Sequence, residues 1–391
     1  MEVVLTRPIA IVAAGVATPL GLDLETFWSG LVTGVDGTSR IERFEVGDLR
    51  VGRGGEIKKL APLTGPAGTL CRASSMLRVA ADDLLSHAAL DADADRIAVV
   101  VGTALGGVEE LDRALGEAPG PRAAAAGLYD SPAFALARRL GARGPVLTVS
   151  TACASGATAL GIGADLLDAD AADLVVAGGY DVLCRFVMRG FDALRSLTRD
   201  RVRPFDRRRS GLLLGEAAGL VLLARTAHTR APLGRLLGHA SSSDGSHIAA
   251  PDPDGRGLEH AVRAAMDAAG VAAGDVDLVS AHGTGTVLND RIETAVIKRV
   301  LGAHAHAVPV NSIKGALGHT MGAAATLEAI MCLLAARDGV VPSTVGYEEP
   351  DAACDLDYVP RAARHVRTRV SLSTSLGFGG CNAALVLEAG A

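Results

Sequence analysis

The chain reads as a duplicated α/β protein: two layered halves in which short buried strands alternate with helices. Two internal echoes predict this. Residues 145–167 (PVLTVSTACASGATALGIGADLL) are answered by residues 308–334 (VPVNSIKGALGHTMGAAATLEAIMCLL). Each stretch is a β-branched apolar run, a small polar turn holding a reactive side chain, and a helix built of Gly and Ala. GEAAGLVLLAR at 215–225 is likewise answered by GGCNAALVLEAG at 379–390, closing each half. ADLVVAGG (172–179) and DVDLVSAHGTG (275–285) correspond more loosely. The period of about 160 residues is too long for a solenoid, so the division falls into residues 1–230 and 231–391.

Taken in order, residues 9–20 are apolar but interrupted by Gly15 and Pro19, which predicts a first strand and turn rather than a secretory leader. Residues 24–31 read as a helix and 35–64 as irregular, with Lys58 and Lys59 in a solvated loop. Helical apolar spacing marks 73–89, and 97–101 is a strand running into the glycine turn 102–107. Residues 123–140 hold loop and helix, with Pro132 suited to a first helical position and the alanines at 123–126 reflecting compositional bias. Strands follow at 146–150, 173–178, 219–225 and 276–280, with a loop-rich basic stretch at 199–219. Gly156, Gly161 and Gly163 lie inside the helix after residue 153. Each costs about 0.5–1 kcal/mol against Ala. That cost is tolerated where another backbone lies very close, so this helix and its counterpart are expected to pack together in the middle of the molecule.

Composition narrows the function. The 391 residues suffice for a large core. Apolar residues make up 49% of them but aromatics only 3%, so packing relies on closely apposed backbones. A net charge of −6 with no long basic run argues against nucleic acid. No uninterrupted apolar stretch reaches membrane-spanning length. Of the 38 basic residues only Lys58, Lys59, Lys298 and Lys314 are lysine, which leaves 34 Arg and makes each lysine notable. The six cysteines show no CxxC, so neither a disulfide framework nor a zinc site is expected. These features together read as a reduced, soluble, cytoplasmic protein without a metal.

Four motifs carry chemistry: STACASG with Cys153, AHGTGTVLND with His282, NSIKGALGHTMGAA with Lys314 and His319, and SLGFGGCNAA with Phe378. Cys153 falls on a strand-to-helix turn, where unpaired N–H groups and the helix dipole favour a thiolate. A buried Cys is ordinarily a small hydrophobe and a lone His ordinarily structural. One Cys and two His, each in a small-residue turn after a strand, suit thiol catalysis with imidazole partners.

These motifs, with the PFDRRRSGLLLGEAAG loop at 204–219, resemble the β-ketoacyl-acyl-carrier-protein synthase I/II and polyketide ketosynthase group of the thiolase-like superfamily, over essentially the whole chain. The resemblance implies a thiolase-like fold, two duplicated halves in a five-layered α-β-α-β-α arrangement. It implies decarboxylative Claisen condensation of an acyl chain with malonyl-acyl carrier protein to give 3-oxoacyl carrier protein. Cys153 would take the acyl chain. His282 and His319 would polarise the malonyl thioester and stabilise the enolate. Lys314 would hold an electrostatic network with Glu328, and the N–H groups of Cys153 and Phe378 would form an oxyanion hole. Thr284 and Thr286 would bind the phosphopantetheine arm, and Phe378 with Leu376 would border the acyl pocket.

Substrates would arrive on the carrier's phosphopantetheine, with no further cofactor. The implied partners are an acyl carrier protein and a second subunit, a homodimer copy or a chain-length-factor-like protein. Arg207, Arg208 and Lys59 are candidate docking cations. The second His argues against the type III synthases, and an intact Cys153 against a non-catalytic chain-length factor. Val287 stands where Pro is usual, and Thr374, Leu376 and Cys381 depart from the usual NSFGFGGTN, which favours a specialised polyketide, polyene or fatty acid pathway. Two alternatives share the scaffold: an acyltransferase without elongation, and a non-catalytic dimer partner.

Overall fold

Buried β-branched runs build the frame. The computed structural model describes residues 7–65, 68–69, 71–111, 125–225 and 232–390. The first half contributes β1 (Ile9–Ala17), β2 (Ile97–Gly102), β3 (Val146–Val149), β4 (Leu174–Asp181) and β5 (Ala217–Arg225). The second contributes β6 (Gly234–Ser243), β7 (Leu278–Ser280), β8 (Val310–Asn311), β9 (Val370–Gly377) and β10 (Cys381–Ala389). Reading outward from the centre, the first half runs β1-β5-β4-β2-β3 and the second β6-β10-β9-β7-β8, the same path twice. The halves join where β1 pairs antiparallel with β6 through Ile9↔Leu236, Ala10↔Arg235 and Ile11↔Gly234. Every residue of β2 is buried, as a parallel strand covered on both faces requires.

Among the described residues the α-helices include α1 (Leu24–Val32), α2 (Arg72–His87), α3 (Ser131–Leu140), α4 (Ser155–Asp168), α5 (Arg185–Ala193), α6 (Arg256–Ala269), α7 (Val287–Leu301), α8 (Lys314–Leu317) and α9 (Ala324–Asp338). Asp23 caps α1 by accepting the Thr26 N–H at 2.8 Å. Pro132 sits in the first turn of α3, and Gly141 ends that helix in the left-handed region. Part of the stretch expected at 123–140, Ala123 and Ala124, lies outside the described residues. The irregular stretch at 35–64 holds two-residue ladders such as Ser39–Arg40 with Arg53–Gly54.

The layering follows from which helices touch which strands. Helix α2 covers β1 and β5, and α6 covers β6 and β10. Helices α4 and α9 each touch strands of both halves and each other, forming the middle of an α-β-α-β-α stack. Helix α9 has no polar face: every residue from Ala324 to Ala335 is buried, Glu328 included. The glycines of α4 allow this depth. A Cβ at Gly156 would lie 2.7 Å from the Gly322 carbonyl oxygen beside α9, and one at Gly161 would lie 2.5 Å from His239 Nδ1 on β6. Among the described residues, no helix is long and apolar enough to cross a membrane. The reactive turns follow the carboxyl ends of β3, β7, β8 and β9, where α/β sheets gather their ligand sites.

Candidate active site

Cys153 stands on an elbow between β3 and α4. Ala152 before it is left-handed (φ 51°), a conformation that costs an L-residue about 1–2 kcal/mol. Ser155 holds the elbow closed: its hydroxyl accepts the Thr151 N–H at 2.9 Å and donates to the Ala152 carbonyl at 2.5 Å. The end of β9 lies directly against it. A Cβ on Gly377 would stand 2.8 Å from the Thr151 oxygen and 3.1 Å from the Cys153 nitrogen, so only glycine fits there. The Phe378 N–H that follows is hydrogen-bonded toward the Cys153 sulfur.

The thiolate expected from the helix terminus is overridden by burial. Cys153 is 7% exposed. Desolvation pushes its thiol up to about 12, with the Lys314 cation pulling the other way and the Asp181 carboxylate adding to the rise. The dipole is a local effect that sequence can show, whereas the depth of the elbow comes from the whole fold. At neutral pH Cys153 is a protonated thiol.

His282 follows β7 in a loop coiled around two buried carboxylates of α7. Glu293 accepts the His282 N–H at 2.7 Å, the Gly283 N–H at 2.8 Å and the Thr374 hydroxyl at 2.6 Å. Asp290 accepts the N–H groups of Thr284 and Gly285 at 3.1 and 3.2 Å. His319 lies after α8, and its Nδ1 accepts the Met321 N–H at 3.2 Å. A neutral imidazole accepting at Nδ1 carries its proton on Nε2. The two rings meet edge to face with centroids 5.2 Å apart. Burial first, and the Lys314 cation second, hold both imidazoles well below their ordinary range, so both are neutral at pH 7. Lys314 itself is buried against Glu328, whose carboxyl is raised by desolvation and whose Oε2 has no hydrogen-bond partner.

A cavity of about 390 Å³ is lined by Cys153, His282, His319, Thr284, Thr286, Leu376 and Phe378 among others. The Thr284 and Thr286 hydroxyls lie 2.9 Å apart. The Phe378 ring stacks on Phe191 with centroids 5.4 Å apart. Lys314 and Glu328 sit outside the lining, and the Lys314 cation acts on both imidazoles through its field. Val287 is the first residue of α7 and lies exposed at the mouth. Cys381 pairs opposite Gly377 and does not line the cavity, although Leu376 does. Arg207 is paired with Glu349, Arg208 with Glu348 and Glu349, and neither they nor the exposed Lys59 reach the cavity wall. Phe191 and Arg195, which also line the cavity, and Glu293 belong to none of the four sequence motifs. Asn289, Asp290 and Glu293 are polar or charged yet buried, a pattern along α7 that resembles a solvated face until the loop wrapped around it is seen.

The arrangement can accept an acyl group. A carbonyl carbon bonded to Sγ would find the Phe378 N–H beside it, and two neutral imidazoles line the same cavity. The beta-ketoacyl synthase N-terminal domain matches residues 6–229, and the beta-ketoacyl synthase C-terminal domain matches residues 233–348. The chain is 38% identical to the tetracenomycin polyketide synthase ketoacyl synthase alpha subunit of Streptomyces glaucescens, covering 97% of each. It superposes on the ishigamide ketosynthase/chain length factor with a TM-score of 0.91 at 32% identity, covering 98% of this chain and 99% of that one. A type II PKS acyl-carrier protein in complex with its ketosynthase gives a TM-score of 0.90 at 27% identity, with the same coverage. Matched through both halves and along nearly its whole length, the chain belongs to the beta-ketoacyl synthase family and is a ketosynthase.

Proposed function

We propose that this ketosynthase works by a two-step exchange on Cys153, with its substrates delivered by an acyl carrier protein. In the first step Sγ attacks the acyl thioester carbonyl, the carrier thiol leaves, and the Cys153 proton passes to it. The N–H groups of Cys153 and Phe378 hold the oxyanion. In the second, the malonyl thioester oxygen accepts hydrogen bonds from neutral His282 and His319. The carboxylate leaves as carbon dioxide, and the resulting enolate carbon attacks the acyl-Cys carbonyl. The new carbon–carbon bond forms as the C–S bond to Cys153 breaks, and the thiolate takes up a proton. Neutral imidazoles suit this step because they donate without presenting a cation that would stabilise the departing carboxylate in its ground state. Burial keeps them neutral, and the field of Lys314, paired with Glu328, adds to it. Thr284 and Thr286 hydrogen-bond the phosphopantetheine arm, and Leu376 shapes the acyl end.

One observation carries the reading: His319 is a neutral ring whose Nδ1 is already occupied, so its only proton is on Nε2 in the ring that lines the Cys153 cavity. Similarity to a type II PKS ketosynthase in complex with its acyl-carrier protein supports the carrier as partner, and similarity to the ishigamide ketosynthase/chain length factor supports a chain-length-factor-like second subunit. The chemistry is carried by side chains and the carrier's arm. The cytoplasm is the proposed compartment, where six unpaired cysteines stay reduced.

The test is intact mass of the protein with acyl-carrier and malonyl-carrier proteins, in the presence and absence of a chain-length-factor-like subunit. An acyl adduct that Cys153→Ala lacks, turning over to 3-oxoacyl carrier with release of carbon dioxide, is the expected result. An adduct that only hydrolyses or transfers, or no adduct with either partner set, would overturn the reading.

A further inference from the structure

Asp181, the last residue of β4, is fully buried and belongs to none of the four motifs. Its carboxylate accepts four hydrogen bonds. Oδ1 takes the Thr103 hydroxyl at 2.7 Å and the Leu105 N–H at 2.9 Å; Oδ2 takes the Ala104 N–H at 2.8 Å and the Gly322 N–H at 2.6 Å. Three donors come from the turn after β2, in its own half. The fourth comes across the molecule, from the residue next to the one bonded to His319. Burial pushes Asp181 up to about 6, with these donors drawing it back, so at neutral pH the bonds are charge-assisted.

The Gly322 bond ends a short chain of constraints. Met321 is left-handed (φ 50°), a conformation that persists only when its surroundings over-determine it. On its C-terminal side, the Gly322 N–H is held by Asp181 and the Gly322 carbonyl is wedged between glycines. A Cβ at Gly179 would lie 2.0 Å from that oxygen and one at Gly156 2.7 Å from it. On its N-terminal side, the Met321 N–H points at His319 Nδ1, 3.2 Å away. Were the Gly322 peptide released, Met321 could relax from the left-handed region and turn its N–H away from the imidazole.

We propose that Asp181 is a positioning residue for the decarboxylation step: by holding the Gly322 N–H it keeps the Met321 N–H on His319 Nδ1, and so keeps the imidazole proton on Nε2. This rests on the role given above to His319 as a donor to the malonyl thioester. In Asp181→Asn the amide NH₂ faces a backbone N–H in either orientation, Leu105 on one side or Ala104 and Gly322 on the other, and the charge is gone.

The experiment reads three quantities in the full-length protein with carrier-bound substrates: Cys153 acylation by intact mass, carbon dioxide release from malonyl carrier, and the ¹⁵N shifts of His319, assigned with His319→Ala. For Asp181→Asn, acylation stays within about threefold of wild type while kcat for decarboxylation falls ~10-fold or more at unchanged KM. The His319 Nδ1 resonance moves from the acceptor position toward a tautomer average. Unchanged shifts, or a parallel fall in both half-reactions, would overturn the positioning role. Wild type needs no variant to be informative: an Nδ1-protonated His319 there overturns the proposal. Full decarboxylation by His319→Ala would instead overturn the reading of His319 as donor, a failure visible without any Asp181 variant.

Discussion

The two elbows of the molecule occupy equivalent places and do different things. In the first half β3 leads through left-handed Ala152 to Cys153 and into α4. In the second, β8 leads through left-handed Met321 to Gly322 and into α9. Counted back from the helix start, Gly322 takes the position that Cys153 takes, so at that position the second elbow carries no side chain. Its chemistry sits earlier, in residues 312–320, which include α8, Lys314 and His319. Residues 150 and 151 are all that separate β3 from Ala152. One copy of the duplicated unit thus carries a thiol on a short turn, and the other carries an imidazole and a lysine on a longer one. A bare second elbow also lets the two backbones meet, Gly322 against Gly156 and Gly179.

The largest test of this division removes the side chain from the first elbow. Cys153→Ala lowers condensation by ~10⁴-fold or more while leaving carbon dioxide release from malonyl carrier in place, since the second elbow's loop is intact. A variant that loses both would mean the two turns do not divide the labour. Next is the cation of the lengthened turn. Lys314→Met strands the buried Glu328 carboxylate and is expected to destabilise the fold by about 3–5 kcal/mol in urea unfolding, whereas Lys314→Met with Glu328→Gln recovers most of that loss. Equal losses in the single and double variants would show that the pair is packing rather than charge.

A smaller effect tests the neutral imidazole. His319 is held well below the ordinary histidine range by burial, so the folded state binds fewer protons than the unfolded chain once pH falls below about 6.5. The stability it allows is complete above that pH and is lost as pH falls. Between pH 7.5 and 5.5 wild type should lose about 1.4 kcal/mol relative to His319→Asn, measured as the difference of two urea titrations. Comparing variant with wild type cancels the opposite drift from Asp181 and Asp290, carboxyls raised to about 6 that gain protons and stability in the same window. The smallest effect bears on the first elbow's strain. Ala152→Gly relieves the left-handed cost but adds glycine's chain entropy, leaving a gain of about 0.5–1 kcal/mol, read as a rise in Tm.

What could be read from sequence followed the local signals. The small-residue turns announce Cys153, His282 and His319. The separation of fourteen residues from Lys314 to Glu328 matters because it spans a turn and the start of a helix that bring the two together. The glycines of α4 foretell its depth. Illegible were the properties that arise only when distant segments meet. Glu293 looks like one more charge on an amphipathic helix until the 281–286 loop closes over it. Asp181 ends an apolar strand, and nothing nearby in sequence names Gly322 as its partner. The Cys153 thiol moved opposite to its helix-terminus signal because burial outweighs the dipole at that depth. Arg207 and Arg208 form a basic run in sequence, yet Glu348 and Glu349 neutralise them from 140 residues away in the chain.

The shared middle layer bears on how such a chain is made. Ile9 pairs with Arg225 in the first half, and α4 completes its packing only with the second half, against α9, β6 and β10. A ribosome releases α4, with its small apolar faces bare, long before α9 exists to cover them. The first half alone would therefore expose one side of its sheet and helix as a sticky surface, and non-local pairings of this kind fold slowly. Expression of residues 7–225 alone is therefore expected to yield aggregate rather than a domain.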